Sequence, residues 1–243
     1  ECRIDLIAQA WSVLSDGALP ARQKIAMDSA ERLLGDPALG LLRLLDPPLV
    51  AFRPEAGYIQ AYPPGVRENG GQYNHGAVWA VMAWAKLGNA EAAWRTWIAC
   101  SPAHRAAHPV QGGVYGLEPY AVAADVYSQP PYAGRGGWSW YTGSAAGMHR
   151  AAIESICGLQ VQAGRVRLQP ALPAHWPSAR ITLRRNGRVH SFSLCAADAD
   201  HAIRYALAEG AVPLLAGAWL ELAGLGALSH HLVVLDRRDA DCR

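Results

Sequence analysis

The sequence predicts a mainly helical chain that ends in a small antiparallel β domain, and three observations support this fold class. Apolar residues follow helical spacing in two early segments, which are separated by glycine and proline. A second group of helical segments follows, one of which is apolar almost all round. After Gly158 the apolar residues alternate with polar ones, as in a half-buried strand. Paired helices joined by long loops indicate a toroid of helical hairpins.

The first helical hairpin is predicted near the start of the chain. Over Asp5–Leu14 the apolar residues recur at helical spacing, and Ser15-Asp16-Gly17 provides a stop. A second helix is expected from about Ala21 to Leu34, where Gly35-Asp36-Pro37 ends it. The two segments together predict a helical hairpin.

Further helices are predicted in the middle of the chain. The segment Gly76–Leu87 is apolar almost all round, so it must be buried between other elements. Gly88-Asn89 interrupts the pattern, and Ala90–Cys100 continues it. Another helix is expected from about Thr142 to Cys157, with Gly158 as its end.

The last third of the sequence carries the pattern of strands. Apolar residues alternate with polar ones over Val161–Leu168. Within Arg180–Leu194, the Asn186-Gly187 pair can take the positive φ angles of a tight hairpin turn. We therefore expect residues 159–243 to form a small antiparallel β domain, with a solvated end at 236–243.

The composition excludes several classes of protein. The 22 basic and 20 acidic side chains give a formal charge of +2, which argues against nucleic-acid binding. The apolar tract Ala211–Leu220 is too short and too interrupted to span a bilayer. Five scattered cysteines without a Cys-x-x-Cys pair favour a cytoplasmic location, with any membrane association supplied by a parent chain. The start lacks an initiating Met and a signal layout, so we expect a piece of a longer protein.

Aromatic residues are concentrated in the middle of the chain. Fifteen of the twenty lie between Phe52 and Tyr141, in the segment with the longest loops. Sugars stack their C–H faces on such rings and pair their hydroxyl groups with carboxylates and amides, so this segment suits a carbohydrate cleft. The rings at helical spacing are expected to serve core packing instead: Trp79, Trp84, Trp94 and Trp97. Better cleft candidates lie in loops: Tyr73, Tyr132, Trp138 and Trp140.

The most polar segment, Arg67–Gly76, directly precedes a buried helix. It contains a carboxylate, three amide side chains, a phenol and an imidazole, which is costly unless these groups face a ligand or water. Glu68 is placed to hold sugar hydroxyl groups, and His75, near a helix N-terminus, to donate to an anion. An equally weighted alternative is a surface turn in which His75 only caps the helix.

A glycine-rich loop, Gly134–Ser144, leads into the helix that begins near Thr142. Free N–H groups at such a terminus bind anions, so the Thr142 hydroxyl and the amides of Gly143 and Ser144 could form a phosphate pocket, with His75 or Arg135 adding charge. The alternative is an ordinary helix cap.

The sequence lacks the motifs of several other functional classes. No Gly-x-Ser-x-Gly elbow, phosphate-binding P-loop or dinucleotide fingerprint occurs. His104 and His108 are four residues apart, but the glutamate of a zinc protease helix is missing between them. We therefore expect no metal site.

Five motifs follow one another over nearly the whole chain up to about Leu194: Arg3–Trp11, Glu68–His75, Glu118–Tyr127, Gly134–Ser144 and Leu168–Pro177. Together and in this order they resemble glycoside hydrolase family 94, in particular its cyclic β-1,2-glucan synthases and cellobiose-type phosphorylases. The resemblance implies a partial (α/α)6 barrel of helical hairpins over residues 1–158, followed by a small antiparallel β-sandwich over 159–243.

The resemblance also implies a reaction, inverting phosphorolysis. Phosphate attacks the anomeric carbon of a terminal β-glucosyl unit while one carboxylic acid protonates the departing oxygen. The implied substrates are a β-linked glucan oligosaccharide, in particular β-1,2-glucan, and inorganic phosphate, with glucose 1-phosphate as the product. No resident cofactor is implied.

The resemblance assigns roles to six residues. Three match the phosphate-binding positions of the family: His75, Thr142 and Gly143. Glu68 matches a carboxylate that contacts sugar, and Tyr73 and Glu118 are its second-rank neighbours. Ala124 stands where cellobiose-type members often carry Gln, which argues against cellobiose as the substrate.

The general acid of the family lies in a Trp-Asn-Asp-like motif upstream of the segment that matches Glu1. This sequence contains no such motif, so no catalytic residue is assigned within it and we expect the isolated chain to be inactive. The upstream portion of the same polypeptide would supply the acid. Two interpretations stay open, a noncatalytic carbohydrate-binding remnant and an (α/α)6 hydrolase that releases glucose without phosphate. The oligomeric state is also open.

Overall fold

The computed structural model describes residues 2–51 and 53–235. The chain divides into two compact units. The helical unit comprises Glu1–Leu87 and Ala92–Ala151, and the β unit comprises Gly88–Glu91 and Ala152–Arg243. The solvated end expected at 236–243 lies outside the described residues.

The predicted helices are confirmed close to their expected bounds. The helices in the first part of the chain are α1 (Leu6–Leu14), α2 (Pro20–Leu34), α3 (Asn74–Lys86), α4 (Ala90–Cys100), α5 (Pro102–Ala107), α6 (Gln111–Tyr115) and α7 (Thr142–Arg150). A 3₁₀ turn occupies Gly57–Ala61. The two short helices α5 and α6 were not predicted, because each is only five or six residues long and too short to show a helical repeat of apolar residues.

The first hairpin forms for the reasons that the sequence indicates. The Asp5 carboxylate caps α1 by accepting a hydrogen bond of 3.0 Å from the Ala8 N–H group. Pro20 opens α2, where its missing N–H group costs nothing. α1 packs against both α2 and α3.

Helix α3 is the buried centre of the helical unit, as its all-round apolar pattern predicts. Its buried residues are Asn74, Gly76, Ala77, Val78, Ala80, Val81, Ala83 and Trp84. Gly76 allows close packing, since a Cβ atom there would lie 2.5 Å from Leu44 Cδ1 and the Leu44 side chain would have to shift. Because α3 is buried, the position of its N-terminal end is fixed. This end begins at Asn74, within the polar segment Arg67–Gly76.

The predicted helix Thr142–Cys157 has two parts. It is α-helical as α7 and continues as a π-helix over Ala151–Ile156. Gly158 ends it with a φ angle of 69°, and a Cβ atom there would lie 2.2 Å from the Gln169 carbonyl carbon. Only glycine fits this position without displacing the backbone.

Short strands join the loops of the helical unit. They are β1 (Ile4–Asp5), β2 (Gly35–Asp36), β3 (Leu41–Leu42), β4 (Leu45–Asp46), β5 (Gln72–Tyr73), β6 (Asp125–Val126) and β7 (Gly136–Gly137). β5, β6 and β7 form an antiparallel three-stranded sheet in that order. In this sheet Tyr73 pairs with Asp125, and Asp125 pairs with Gly137. Three motif segments that are distant in sequence therefore meet in one small sheet.

The β unit contains the predicted strands and one unpredicted helix. Its elements are β8 (Leu159–Gln162), β9 (Arg165–Leu168), β10 (Ser178–Arg185), β11 (Arg188–Ala196), α8 (Asp200–Ala208), β12 (Val212–Pro213), β13 (Trp219–Glu221) and β14 (Leu228–Leu235). The β10–β11 hairpin is confirmed, and its turn residues Asn186 and Gly187 have φ angles of 50° and 73°. A three-stranded antiparallel sheet has the order β13-β9-β8.

The prediction of a purely antiparallel domain was wrong. The four-stranded sheet has the order β10-β11-β14-β12, and β14 runs parallel to both β11 and β12. Parallel strands need a crossover connection, and α8 lies in the connection that follows β11. Ala206 of α8 packs with Cys195 and Leu232 in one buried cluster. No helix was predicted after Ala196, although Ala202, Ile203 and Ala206 recur at helical spacing and pack on this buried cluster.

No helix within the described ranges is both long and apolar enough to cross a membrane.

Candidate functional site

The N-termini of two helices meet in the helical unit. Tyr73 is the N-cap residue of α3 and Tyr141 is the N-cap residue of α7, and neither side chain bonds to its own helix. Instead, the two tyrosine hydroxyl groups are hydrogen-bonded to each other at 2.6 Å. Burial and this hydrogen bond raise the pKa of Tyr73 well above its ordinary value, so its hydroxyl group keeps its proton.

The imidazole of His75 lies beside the first turn of α7. A Cβ atom on Gly143 would lie 3.6 Å from His75 Cε1 and 3.8 Å from its Nδ1, an ordinary van der Waals contact. The imidazole is also near Trp79, whose ring centroid is 5.0 Å from its own. Two of the predicted phosphate-binding residues, from segments far apart in sequence, are therefore neighbours.

The first turn of α7 offers unpaired N–H groups. Among the described residues, no backbone partner accepts from the amides of Thr142, Gly143 or Ser144. The Ser144 hydroxyl is also buried without a hydrogen-bond partner in that part of the chain. Unpaired amides and the positive end of the helix dipole make this terminus, with His75 at its side, suited to a bound anion.

Arg67 lies next to this junction, inside a cage of aromatic rings. Its guanidinium carbon is 5.6 to 5.8 Å from the ring centroids of four residues: Tyr62, Tyr73, Trp138 and Tyr141. Burial opposes the charge, but the Glu68 carboxylate and other neighbours outweigh it and raise the pKa of Arg67 above its ordinary value. Arg67 is therefore a permanent cation held against π faces.

Glu68 is buried beside the guanidinium. Its Oε2 atom lies 3.6 Å from Arg67 Nε, slightly too far for a hydrogen bond. Both atoms are buried and have no hydrogen-bond partner among the residues that the structure describes. Each of these two buried atoms can therefore make a further hydrogen bond. Leaving such groups unpaired costs stability unless a ligand bonds to them.

The carboxylate of Asp125 is hydrogen-bonded to the backbone of Arg67. Its Oδ2 atom accepts a hydrogen bond of 2.7 Å from the backbone N–H group of Arg67, whose φ angle is 52°. Asp125 is fully buried, and burial raises the pKa of its carboxyl group to about 6. A Cβ atom on Gly137 would lie 2.7 Å from the second oxygen, Oδ1, so this glycine leaves room for the carboxylate.

Glu118 organises the glycine-rich loop. Its carboxylate accepts hydrogen bonds from the Ser139 hydroxyl at 2.7 Å and from Trp140 Nε1 at 3.4 Å. The bond from Ser139 lowers the pKa of Glu118 below its ordinary value. Trp138 and Trp140 have φ angles of 56° and 62°, and their side chains are 73% and 64% exposed. A positive φ is unusual for so bulky a residue and marks a strained loop that presents two indole rings.

Comparison with known proteins places the chain in a family. The family model for the catalytic domain of the glycosyl hydrolase 94 superfamily matches residues 1–158. The chain belongs to this family, whose domain has an (α/α)6-type fold. The resemblance proposed from the motifs is thereby confirmed.

Several curated relatives of this family 94 chain are enzymes of β-glycosides. It is 47% identical over 194 residues to the cyclic β-(1,2)-glucan synthase NdvB of Rhizobium meliloti, covering 80% of this chain and 7% of the relative. It is 30% identical over 178 residues to a solabiose phosphorylase of Paenibacillus borealis, covering 72% and 22%. An N,N'-diacetylchitobiose phosphorylase of Vibrio proteolyticus is 27% identical over 191 residues, covering 78% and 23%. The chain thus spans less than a quarter of these relatives.

The family 94 chain brings some of the predicted site residues together and leaves others apart. His75 and Gly143 are neighbours, Thr142 opens the same helix turn, and Tyr73 joins that helix through Tyr141. Glu118 contacts loop residues, not Glu68, in its recorded hydrogen bonds.

Other predicted residues serve different contacts. The guanidinium carbon of Arg135 lies over the ring of Tyr132, 5.6 Å from the ring centroid. This contact is with Tyr132 and not with His75. His104 is hydrogen-bonded to Ser101 at 2.9 Å. In the described part of the chain, no group of three or more His, Cys, Asp or Glu side chains could hold a metal ion.

Three residues of the site were missed as site residues. In the sequence analysis Arg67 is only the first residue of the polar segment, Tyr141 only the last of the aromatic-rich stretch, and Asp125 only a member of the motif Glu118–Tyr127. A usable signal existed for Asp125, because it is the only charged residue in the apolar run Ala121–Val126. A lone carboxylate in a buried strand needs a partner, and here the partner is a backbone amide.

Proposed function

We propose that this chain is part of an inverting glycoside phosphorylase that acts on a β-linked glucan. The observation that carries the proposal is the contact between His75 and the unpaired N-terminal turn of α7 at Gly143. A hydrolase would need a second carboxylate to activate water, whereas a phosphorylase needs a binding site for phosphate.

In the proposed mechanism, phosphate is bound by His75, the Thr142 hydroxyl and the Gly143 amide. The helix dipole and the amides stabilise the negative charge without proton transfer. The bound phosphate attacks the anomeric carbon of the terminal β-glucosyl unit, the glycosidic bond breaks, and a carboxylic acid protonates the departing oxygen. The products are glucose 1-phosphate and a glucan shortened by one unit. No resident cofactor takes part, since phosphate is a co-substrate.

The sugar-binding wall of the proposed cleft is formed by Glu68, with Tyr73 and Glu118 as further contacts. The unused hydrogen-bonding capacity of Glu68 and the exposed indole rings near Glu118 support this role. Carboxylates bind sugar hydroxyl groups, and indole rings stack on sugar C–H faces.

We propose β-1,2-linked glucan as the substrate class. The identity to a cyclic β-(1,2)-glucan synthase is 47%, against 30% to the solabiose phosphorylase and 27% to the N,N'-diacetylchitobiose phosphorylase. This difference favours a β-1,2 linkage over a cellobiose-type substrate.

We further propose that the isolated chain is inactive and that the upstream portion of the same polypeptide supplies the general acid. The chain covers only 7% to 23% of the length of each of these relatives, which supports the proposal that the general acid lies in another part of the polypeptide. Residues 1–158 would then contribute part of the catalytic barrel, and residues 159–243 the accompanying β domain.

The decisive experiment incubates the full-length parent, and this chain in parallel, with β-1,2-linked glucooligosaccharide with and without phosphate. Glucose 1-phosphate and free glucose are measured separately. We expect phosphate-dependent glucose 1-phosphate from the parent only. Free glucose without phosphate would assign a hydrolase instead, and oligosaccharide binding without any product from the parent would assign the noncatalytic remnant. Rapid glucose 1-phosphate release by this chain alone would contradict the missing-acid proposal.

A further inference from the structure

We propose that Asp125 is a positioning residue for the sugar-binding wall. Its carboxylate holds the Arg67 backbone in the left-handed conformation and thereby fixes where Glu68 and the caged guanidinium lie. The inference rests on the proposed function, because Glu68 is the proposed sugar contact.

The first step concerns the backbone of Arg67. A φ angle of 52° is rare for a residue with a long side chain, and it persists only where surrounding contacts enforce it. The Arg67 amide donates to Asp125 Oδ2 at 2.7 Å, a short, charge-assisted hydrogen bond across 58 residues of sequence. This bond is the contact that reaches the Arg67 amide from another segment.

The second step concerns the loop that follows. The Arg67 carbonyl accepts from the Gly71 amide at 3.1 Å, and the Glu68 carbonyl accepts from the Gly70 amide at 2.9 Å. The later residues of the turn are held by other contacts, because the Asn69 side chain bonds the backbone of Leu49 and Tyr62 and the Gly70 carbonyl accepts from the Ser128 hydroxyl. The Asp125 bond therefore fixes the Arg67 end of the turn, from which the neighbouring Glu68 side chain extends.

The third step concerns what holds Asp125. It is the central-strand partner of both Tyr73 and Gly137, so it belongs to the sheet that carries the segments before α3 and α7. Its side chain points into the protein, because it is fully buried and Oδ1 lies against the space left by Gly137. Asp125 therefore does not contact a sugar itself and acts through Arg67.

The fourth step concerns the consequence for the cage. The Arg67 guanidinium lies within 5.8 Å of the centroids of Tyr73, Tyr141 and Trp138. If the Arg67 backbone relaxed to negative φ, its side chain would leave these rings and Glu68 would lose its charged neighbour. The contacts that frame the phosphate side, the Tyr73–Tyr141 hydrogen bond and the contact of His75 with Gly143, do not themselves include Asp125.

The test compares Asp125→Ala, Asp125→Asn and the control Val126→Ala in the full-length parent. Val126 is the next residue of the same strand and is equally buried, so its truncation reports lost packing alone. We expect Asp125→Ala to raise the KM for oligosaccharide by tenfold or more and to change the KM for phosphate less than threefold. Asp125→Asn keeps an oxygen that accepts from Arg67 and should stay within threefold of wild type for both. Val126→Ala should change neither KM.

A second measurement tests the hydrogen bond without relying on activity or on the folding of Asp125→Ala. The Arg67 amide should exchange with deuterium slowly in the wild-type parent and in Asp125→Asn. Fast exchange at Arg67 in the wild type would overturn the inference, as would equal rises in both KM values for Asp125→Ala or the same oligosaccharide KM for Asp125→Ala and Val126→Ala. If the parent makes no phosphate-dependent product, the proposed function fails while the exchange experiment still decides the positioning role.

Discussion

The hydroxyl groups of Tyr73 and Tyr141 lie 2.6 Å apart and join the N-cap residues of α3 and α7 by a hydrogen bond. Each tyrosine leaves the amides of its own helix uncapped. The bond therefore fixes two helix N-termini against each other and keeps the α7 amides available. The two tyrosines are 68 residues apart in sequence, and their hydrogen bond holds together the two helix ends that form the proposed phosphate pocket.

The junction predicts a loss of stability and of phosphate affinity in Tyr141→Phe. This change leaves the partly buried Tyr73 hydroxyl without its partner, so we expect the free energy of unfolding to fall by about 1 to 2 kcal/mol. The KM for phosphate in the full-length parent should rise several-fold. Chemical denaturation and initial rates measure the two effects. Tyr120→Phe is the control, since Tyr120 is 74% exposed, and an equal loss there would contradict the role of the junction.

The contact between His75 and Gly143 predicts that a branched side chain at residue 143 closes the pocket. Valine there would place methyl groups beyond a Cβ position that is already 3.6 Å from the imidazole. We expect Gly143→Val to raise the KM for phosphate tenfold or more, with a smaller effect on the KM for oligosaccharide.

The matched control is Gly113→Val, because a Cβ atom on Gly113 meets nothing within 4 Å. Both changes replace a helical glycine by the same side chain, so they share the same change in helix propensity. Unchanged phosphate kinetics in Gly143→Val, or equal changes in both variants, would argue against a phosphate site at this turn.

The buried carboxyl group of Asp125 predicts a pH dependence of stability. Burial raises its pKa from 3.8 to about 6 in the folded chain, so between these values the folded state keeps a proton that the unfolded state has lost. Stability therefore falls as the pH rises from about 4 to about 6, by about 2 to 3 kcal/mol from this group.

The comparison that isolates this group is wild type against Asp125→Asn, followed by urea denaturation at several pH values. Asparagine does not titrate, so the difference between the two curves should change across pH 4 to 6 and be flat above about pH 7. Other carboxylates contribute equally to both proteins and cancel. Curves that stay parallel over the whole range would show that Asp125 titrates normally.

Two glycines of the β unit, Gly158 and Gly164, are expected to differ in the stability that is lost when each is replaced by alanine. Gly158 and Gly164 both have positive φ angles, 69° and 82°. A Cβ atom on Gly158 would lie 2.2 Å from the Gln169 backbone, whereas one on Gly164 meets nothing within 4 Å. We expect Gly164→Ala to cost about 1 kcal/mol from φ alone, and Gly158→Ala at least about 2 kcal/mol more. Equal losses in thermal denaturation would contradict the clash at Gly158.

Some elements of this protein follow from local sequence and were predicted correctly. The Asn186-Gly187 turn forms because these two residues tolerate positive φ, and the strands on either side alternate. Helices α1 to α4 form where apolar spacing and breaker residues coincide. The family was also recognisable, since its motifs are short contiguous segments that can be identified without knowledge of the tertiary structure.

Other features escaped prediction because they depend on which segments meet. Nothing local to Leu228–Leu235 indicates that it pairs in parallel with β11, since either strand direction satisfies the same alternation. Asp125 could be noticed as a lone carboxylate, but its partner, the Arg67 amide, carries no side-chain signature at all.

The sequence by itself determined helices α1 to α4 and α7, the hairpin, the family and the identity of the residues proposed to bind phosphate and sugar, because each depends on neighbours along the chain. The tertiary structure alone decided that His75 lies against Gly143, that Tyr73 bonds Tyr141 and that Asp125 holds Arg67. These contacts join segments 58 to 68 residues apart, and they arise only when the three-stranded sheet β5-β6-β7 brings those segments together. Local pattern specifies what each segment forms, and packing specifies which segments touch.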